Sequence, residues 1–98
     1  MITLPEPVAF QGDRGNEQKN LDQHGVSAQE IEEVFFDPRK KLLEDRFHSG
    51  TEDRYILLGQ TRQARFLMVV FTIRARRVRA ISARDLNKKE RRLYEEAT

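Results

Sequence analysis

One stretch of the chain is dominated by arginine. Residues 62 to 92 contain eleven basic residues, nine of them arginines, against two acidic residues, Asp85 and Glu90. The planar guanidinium of arginine can hold a phosphate through two parallel hydrogen bonds. A basic block of this size therefore favours a polyanionic partner over a neutral small molecule. The alternative is a solvated basic face that has no specific partner.

A second set of residues could support proton transfer and phosphate binding. His24 and Glu52 are candidate general bases, and the candidate phosphate ligands are Arg54, Arg79 and Arg84. These residue types suffice for metal-independent RNA cleavage, in which the RNA 2′-hydroxyl attacks the adjacent phosphate and the protein stabilises the added charge. Structural alternatives remain open, because His24 also suits a helix C-terminus and Glu52 could form a surface ion pair with Arg54.

The other basic residues of the block are predicted to bind the nucleic-acid backbone: Arg65, Arg77, Lys88, Lys89, Arg91 and Arg92. We expect no metal site, since His24 and His48 lie in different segments without metal-ligand spacing. The glycines are scattered, so neither a phosphate-binding loop nor a dinucleotide fingerprint is present, and we expect no cofactor.

Length and composition limit the classes of protein that remain. The chain has 98 residues, of which 38% are apolar and 35% charged, which predicts one domain spanning residues 1–98. It contains no cysteine, which excludes disulfides and thiolate catalysis. No apolar run is long enough for a membrane span, and the first residues lack the features of a signal peptide. We therefore expect a soluble cytoplasmic protein that does not bind membranes.

The first half of the chain has a helical pattern. Asp13 is a candidate N-cap for a helix that runs to about His24, where Gly25 ends it. Ser27 and Glu30 form a capping-box sequence for a second helix, which ends at Asp37-Pro38. Near the C-terminus, Asn87 is a candidate cap for a short helix that runs to about Glu96.

Between these helices the pattern changes to that of strands. The predicted strands cover residues 42–47, 54–59, 65–73 and 77–84, and short connections favour an antiparallel meander. Simple alternation places Arg77 and Arg79 on one face of the last strand, with Val78 and Arg84 on the other. The predicted fold class is α+β: N-terminal helices packed on a small antiparallel sheet of about four strands, followed by a C-terminal helix.

Motifs spread along nearly the whole chain from Phe10 resemble one family. These are Asn20, His24-Gly25-Val26, Val34-Phe35, Asp37-Pro38, Glu52 with Arg54-Tyr55, Gly59, Val70 to Thr72, Arg79, Ile81-Ser82-Ala83-Arg84-Asp85, Glu90-Arg91 and Tyr94-Glu95. In this order and spacing they resemble the BrnT toxins of bacterial type II toxin–antitoxin systems.

The resemblance implies a RelE-like fold and a ribonuclease that inhibits translation. It also implies a BrnA-type antitoxin with a ribbon-helix-helix DNA-binding part, a hetero-oligomer with that antitoxin, and contact with operator DNA only through it. The family's polar motif positions correspond here to His24, Glu52, Arg54, Arg79, Arg84 and Glu90.

The chain departs from the family pattern at three places. Gly12 stands where the family has an aromatic residue, and Asn16 stands where it has a lysine. These departures support an alternative, a catalytically impaired RNA-binding or antitoxin-binding module that acts mainly in repression of its own operon. In addition, Ala75-Arg76 replaces a glycine-containing turn before the fourth strand, which predicts a turn that is either wider or strained.

Overall fold

A computed structural model describes residues 3–45 and 52–96. In chain order the elements are α1 (Arg14–His24), α2 (Ala28–Val34), β1 (Lys41–Glu44), β2 (Tyr55–Gln60), β3 (Phe66–Arg74), β4 (Arg77–Asp85) and α3 (Lys88–Glu95). The strands form an antiparallel sheet in the order β1-β2-β3-β4. The α+β fold and the meander are confirmed. Among the described residues, no helix has the length and apolar character needed to cross a membrane.

The predicted starts of the three helices and the end of α1 are confirmed by their hydrogen bonds. The predicted end of α2 at Asp37 was wrong, because the helix ends at Val34 and tighter turns with i→i−3 hydrogen bonds follow it. The Asp13 side chain accepts from the backbone of Asn16 at the start of α1, and Gly25 ends that helix at φ 62°, in the left-handed region. Capping boxes open α2 and α3, with Ser27 and Asn87 as the respective caps. Local side-chain chemistry therefore determines where each helix begins.

The strand boundaries differ slightly from the prediction. β1 begins at Lys41, one residue earlier than expected, and extends to Glu44. The predicted end of this strand at Phe47 lies outside the described residues. β2 and β3 each begin and end one residue later than predicted. β3 lies between β2 and β4, and its run of buried residues confirms the predicted central strand.

Each face of the sheet carries its own apolar cluster. On the face covered by α2, Phe35 stacks edge-to-face on Phe71, and both side chains are buried together with Leu57. On the opposite face, Leu58 and Met68 pack with Tyr94 of α3. The two faces are named below the α2 face and the α3 face. Burial on both faces explains why β3 is nearly continuous in apolar residues.

A bulge in β4 corrects the predicted facing of Arg84. Ser82 lies opposite Val70 whereas Ala80 lies opposite Phe71, so Ile81 is an additional residue in β4. An extra residue reverses the alternation beyond it. Arg84 consequently lies opposite Met68 on the α3 face, whereas Val78 packs into the α2-face cluster. The prediction that these two residues share a face was wrong.

The β3–β4 connection is a tight turn of two residues. Ala75 and Arg76 have φ values of 52° and 63°, and Arg74 pairs directly with Arg77. Both turn residues thus occupy the left-handed region, which costs free energy for residues with a Cβ atom. The expectation of strain is confirmed, and the expectation of a wider turn was wrong.

Candidate nucleic-acid interface

Four arginines of the hairpin project from the same face of the sheet. Arg84 lies opposite Met68, Arg79 opposite Thr72, and Arg77 opposite Arg74. Met68, Thr72 and Arg74 follow one another at the period of two along β3, and directly opposed residues share a face. Because Met68 packs with Tyr94, this is the α3 face. The bulge therefore gathers onto one side arginines that simple alternation would separate.

Glu52 forms the centre of a charged cluster at the hairpin end of this face. Nε of Arg74 donates to Oε2 of Glu52 at 3.0 Å, and Nη2 donates to Oε1 at 2.5 Å. Hydrogen bonding by Arg74 lowers the pKa of Glu52, and the charges of Arg79 and Arg54 lower it further. Glu52 is therefore ionised at neutral pH and is an acceptor beside three cations, although its basicity is reduced.

Arg79 forms an ion pair with Asp13, the N-cap residue of α1. Its Nη2 donates to Oδ2 of Asp13 at 2.5 Å, and about a quarter of each side chain is exposed. We call Asp13, Glu52, Arg54, Arg74 and Arg79 the hairpin-end cluster. Sequence reasoning identified three of its members as site residues, Glu52, Arg54 and Arg79. It missed the other two: Asp13 was recognised only as a helix cap, and Arg74 received no role.

Arg84 occupies a second position on the α3 face. Its Nη1 and Nη2 donate to the two carboxylate oxygens of Glu90 at 2.8 and 2.9 Å, and Nη1 also donates to the carbonyl oxygen of Asp85. The partners of Arg84 and Arg79 on β3 are four residues apart, which is about 13 Å along a strand. The two arginines can therefore contact different phosphates of one strand of nucleic acid.

His24 lies at the other end of the sheet. Its carbonyl oxygen accepts from Nη2 of Arg65, the residue before β3, whereas Arg74 is the last residue of β3. A strand of that length spans about 30 Å. The imidazole is exposed, and its charge helps to lower the pKa of Asp85 after the hydrogen bond from Arg65. His24 and Glu52 are therefore not brought to one phosphate.

Arg65 is fully engaged within the protein. Its guanidinium donates to Asp85, to Glu30, and to the backbone carbonyls of His24 and Gly25. These hydrogen bonds satisfy backbone carbonyl groups at the C-terminus of α1 and connect that end of the helix to the start of β3 and the end of β4. The geometry is that of a structural residue, although the predicted nucleic-acid contact at this position stays a prediction.

The remaining predicted contacts lie on α3 and at the hairpin. Lys88, Lys89, Arg91, Arg92 and Arg77 are all exposed. The Arg91 guanidinium lies over the Phe66 ring at 3.5 Å from its centroid. Lys89 and Arg92 border a groove of ≈ 490 Å³ between α3 and the strands β1 and β2. These cations extend the positive surface from the hairpin-end cluster past Arg84.

Tyr94, one of the family-motif positions, is a buried structural residue. Its hydroxyl donates to Oδ2 of Asp37 at 2.6 Å, and the same oxygen accepts from the backbone of Gln60. Burial and the Asp37 contact raise the pKa of Tyr94 to about 12. Within residues 3–45 and 52–96 no three His, Asp or Glu side chains are grouped so as to hold a metal ion.

Comparisons with known proteins identify similar chains. A family model described as "Ribonuclease toxin, BrnT, of type II toxin-antitoxin system" matches residues 13–90. A solved structure that matches is the crystal structure of the ribonuclease toxin BrnT from Brucella abortus, with a TM-score of 0.60 and 19% sequence identity. The match covers 83% of this chain and 99% of the Brucella chain. No curated protein matches the sequence.

Proposed function

The chain belongs to the BrnT family of ribonuclease toxins of type II toxin–antitoxin systems, and from that premise we propose that it is an endoribonuclease that cleaves RNA without a metal ion and thereby inhibits translation. The observation that carries this proposal is the clustering of Glu52 with Arg74 and Arg79 on the same face as Arg84. One carboxylate base and several fixed cations are the groups that cleavage through the 2′-hydroxyl requires.

The hairpin-end cluster is the proposed cleavage centre. Glu52 takes the proton of the 2′-hydroxyl, whose oxygen attacks the adjacent phosphorus. The bond from phosphorus to the 5′ oxygen breaks, and that oxygen takes a proton from water. Arg79 and Arg54 stabilise the additional charge on the phosphate oxygens, a task that arginine performs without changing its protonation state. Arg74 orients the Glu52 carboxylate and keeps it ionised. The products are a 2′,3′-cyclic phosphate and a 5′-hydroxyl.

Arg84 and the cations of α3 hold the flanking RNA in this proposal. Arg84 lies about 13 Å from Arg79 along the strand direction, which suits a neighbouring phosphate rather than the one being cleaved. Lys88, Lys89, Arg91 and Arg92 continue the path, joined by Arg77 at the hairpin. Such contacts to the backbone carry no sequence information by themselves, and they make binding depend strongly on salt.

We further propose a BrnA-type antitoxin as the protein partner. A toxin of a type II system is paired with a protein antitoxin, and the family membership supports that coarser statement. In the proposed hetero-oligomer the ribbon-helix-helix part of the antitoxin contacts operator DNA, and the present chain does not. The complex acts in the cytoplasm, where its RNA substrates are, and residues 1–98 act as one toxin domain.

A second candidate function is favoured by the surroundings of Gly12 and Asn16. Gly12 lines a cavity of ≈ 90 Å³ beside Phe10, and the Asn16 side chain donates to the carbonyl oxygen of Ala80 next to Arg79. A lysine at position 16 would bring a further cation to the hairpin-end cluster. Its absence supports a catalytically impaired module that binds RNA or antitoxin and acts mainly in autorepression.

Cleavage of RNA in EDTA separates the two candidates. The purified chain should cut mixed RNA substrates in excess EDTA, and Arg84→Ala should reduce cleavage while remaining folded. If wild type leaves every RNA intact, the double variant Gly12→Trp with Asn16→Lys decides the matter. A gain of cleavage identifies an impaired nuclease, and no gain supports a binding module. A Cβ atom at position 12 would meet only Glu17 Oε1, at 3.5 Å, so the first atom of a side chain causes no clash there.

A further inference from the structure

The carboxylate of Asp13 makes two contacts that serve different parts of the protein. Oδ1 accepts from the backbone N–H of Asn16 at 3.0 Å and so caps α1, whereas Oδ2 accepts from Nη2 of Arg79 at 2.5 Å. The side chains of Asp13 and Arg79 are about three-quarters buried. One of these contacts is enough for a helix cap. The second contact holds a cation of the hairpin-end cluster.

The backbone on either side of Asp13 is fixed against β4. The backbone N–H of Gln11 donates to the carbonyl oxygen of Val78 at 2.8 Å, and Val78 donates in turn to Ala9 at 2.8 Å. On the other side, the Asn16 side chain donates to the carbonyl oxygen of Ala80. These bonds flank Arg79 along β4. The Asp13 carboxylate is therefore held in a defined place beside the arginine.

From this geometry we infer that Asp13 is a positioning residue for Arg79 in RNA cleavage, an inference that rests on the proposed function. An arginine side chain has several rotatable bonds, and holding it in place before reaction avoids reorganisation as charge develops on the phosphate. Arg79 also lies close enough to Glu52 to influence its charge. Without Asp13, Arg79 turns toward Glu52, which removes a cation from the phosphate and further weakens the base.

Asp13→Ser separates positioning from capping. Serine caps a helix about as well as aspartate but cannot reach Arg79 with a negative charge. We expect kcat to fall about ten- to a hundredfold. This is less than the roughly hundred- to thousandfold loss found when a group that itself stabilises developing charge is removed, because Arg79 remains present. KM should stay unchanged or fall, because removing an acidic group makes the surface more positive for RNA. Asp13→Asn, which can cap and still accept from Arg79, should retain an intermediate kcat.

Two comparisons exclude a purely structural effect. Asp22→Ser removes the same charge at an exposed residue of α1 whose carboxylate accepts from Gln18, and it should leave kcat unchanged. In an Arg79→Ala background, Asp13→Ser should cause no further loss of kcat, because the residue it positions is absent. Thermal unfolding of all variants checks that α1 remains intact.

The outcomes distinguish this inference from the proposed function. If Arg84→Ala reduces cleavage but Asp13→Ser leaves kcat at the wild-type value, the function stands and the inference is overturned. The inference is also overturned if Asp13→Ser lowers kcat by the same factor in the wild-type and Arg79→Ala backgrounds. If wild type does not cut RNA at all, the proposed function fails. The inference about Asp13 is then tested by the affinity for 2′-O-methyl RNA oligonucleotides. If Asp13 positions Arg79, Asp13→Ser should change this affinity severalfold, and the change should disappear in the Arg79→Ala background.

Discussion

Arg84 and Glu90 join the last strand to the last helix through a two-point ion pair. Both guanidinium Nη atoms donate to the carboxylate, at 2.8 and 2.9 Å, and Oε1 of Glu90 also accepts from the backbone of Asn87 as part of the α3 capping box. A single carboxylate thus fixes both the start of α3 and the orientation of Arg84. This ion pair therefore fixes the position of Arg84 relative to α3, the helix that carries the basic residues Lys88, Lys89, Arg91 and Arg92.

We expect Arg84→Lys to reduce cleavage by at least about tenfold, because lysine offers a point charge in place of the planar two-point fork. The free energy of unfolding should change by only about 1 kcal/mol or less, since the pair is partly exposed and screened by solvent. Single-turnover cleavage and thermal unfolding measure the two effects. Arg92→Lys, the same change at an exposed position on α3, is the control. Equal cleavage by both variants would show that the two-point geometry has no role.

Arg65 is predicted to act in stability rather than in RNA binding. Arg65→Lys should lower the free energy of unfolding by about 2 kcal/mol, because lysine cannot reach Asp85, Glu30 and two backbone carbonyls together. Its RNA affinity should match that of the control Arg62→Lys, an exposed arginine in the preceding loop. Chemical denaturation and RNA titration at two salt concentrations give both quantities. A loss of RNA affinity confined to Arg65→Lys would return this residue to the interface.

Local signals in the sequence predicted much of the fold. Helix caps such as Ser27 and Asn87 satisfy backbone groups within three residues, so a short window of sequence contains the whole interaction. The bulge at Ile81 could not be read in this way, because it depends on the register between β3 and β4. The bulge determines on which face of the sheet Arg84 lies. The residues of the candidate interface could therefore be predicted from the sequence, but the face on which each of them lies could not. The Asp13–Arg79 contact joins residues 66 positions apart and carried no local signal.

The strained β3–β4 turn offers a direct test of backbone conformation. Arg76→Gly and Arg76→Ala remove the same charged side chain, but only glycine adopts φ near 63° without a steric cost. We expect the glycine variant to be more stable than the alanine variant by about 1 kcal/mol. Urea denaturation of the pair measures this difference. Equal midpoints and equal slopes would indicate that the turn does not hold position 76 in the left-handed region.

Tyr94 is expected to contribute stability that depends on pH in the alkaline range. Burial and the hydrogen bond to Asp37 raise its pKa to about 12, above its ordinary value of 10.0. A group whose pKa is raised by folding stabilises the folded state fully below its unfolded pKa, and that contribution is lost as pH rises through the folded value. Wild type should therefore lose stability between about pH 10 and pH 12 more steeply than Tyr94→Phe.

The same variant tests whether the Tyr94 hydroxyl takes part in cleavage. Near neutral pH, Tyr94→Phe should be less stable than wild type by about 1 to 2 kcal/mol, because Asp37 loses a buried donor. Its cleavage rate at a temperature where both proteins are folded should equal that of wild type, since the hydroxyl is bound to Asp37 and buried beside Phe66 rather than at the hairpin-end cluster. A large loss of kcat in a folded Tyr94→Phe protein would instead make the hydroxyl a catalytic group and move the cleavage centre toward α3.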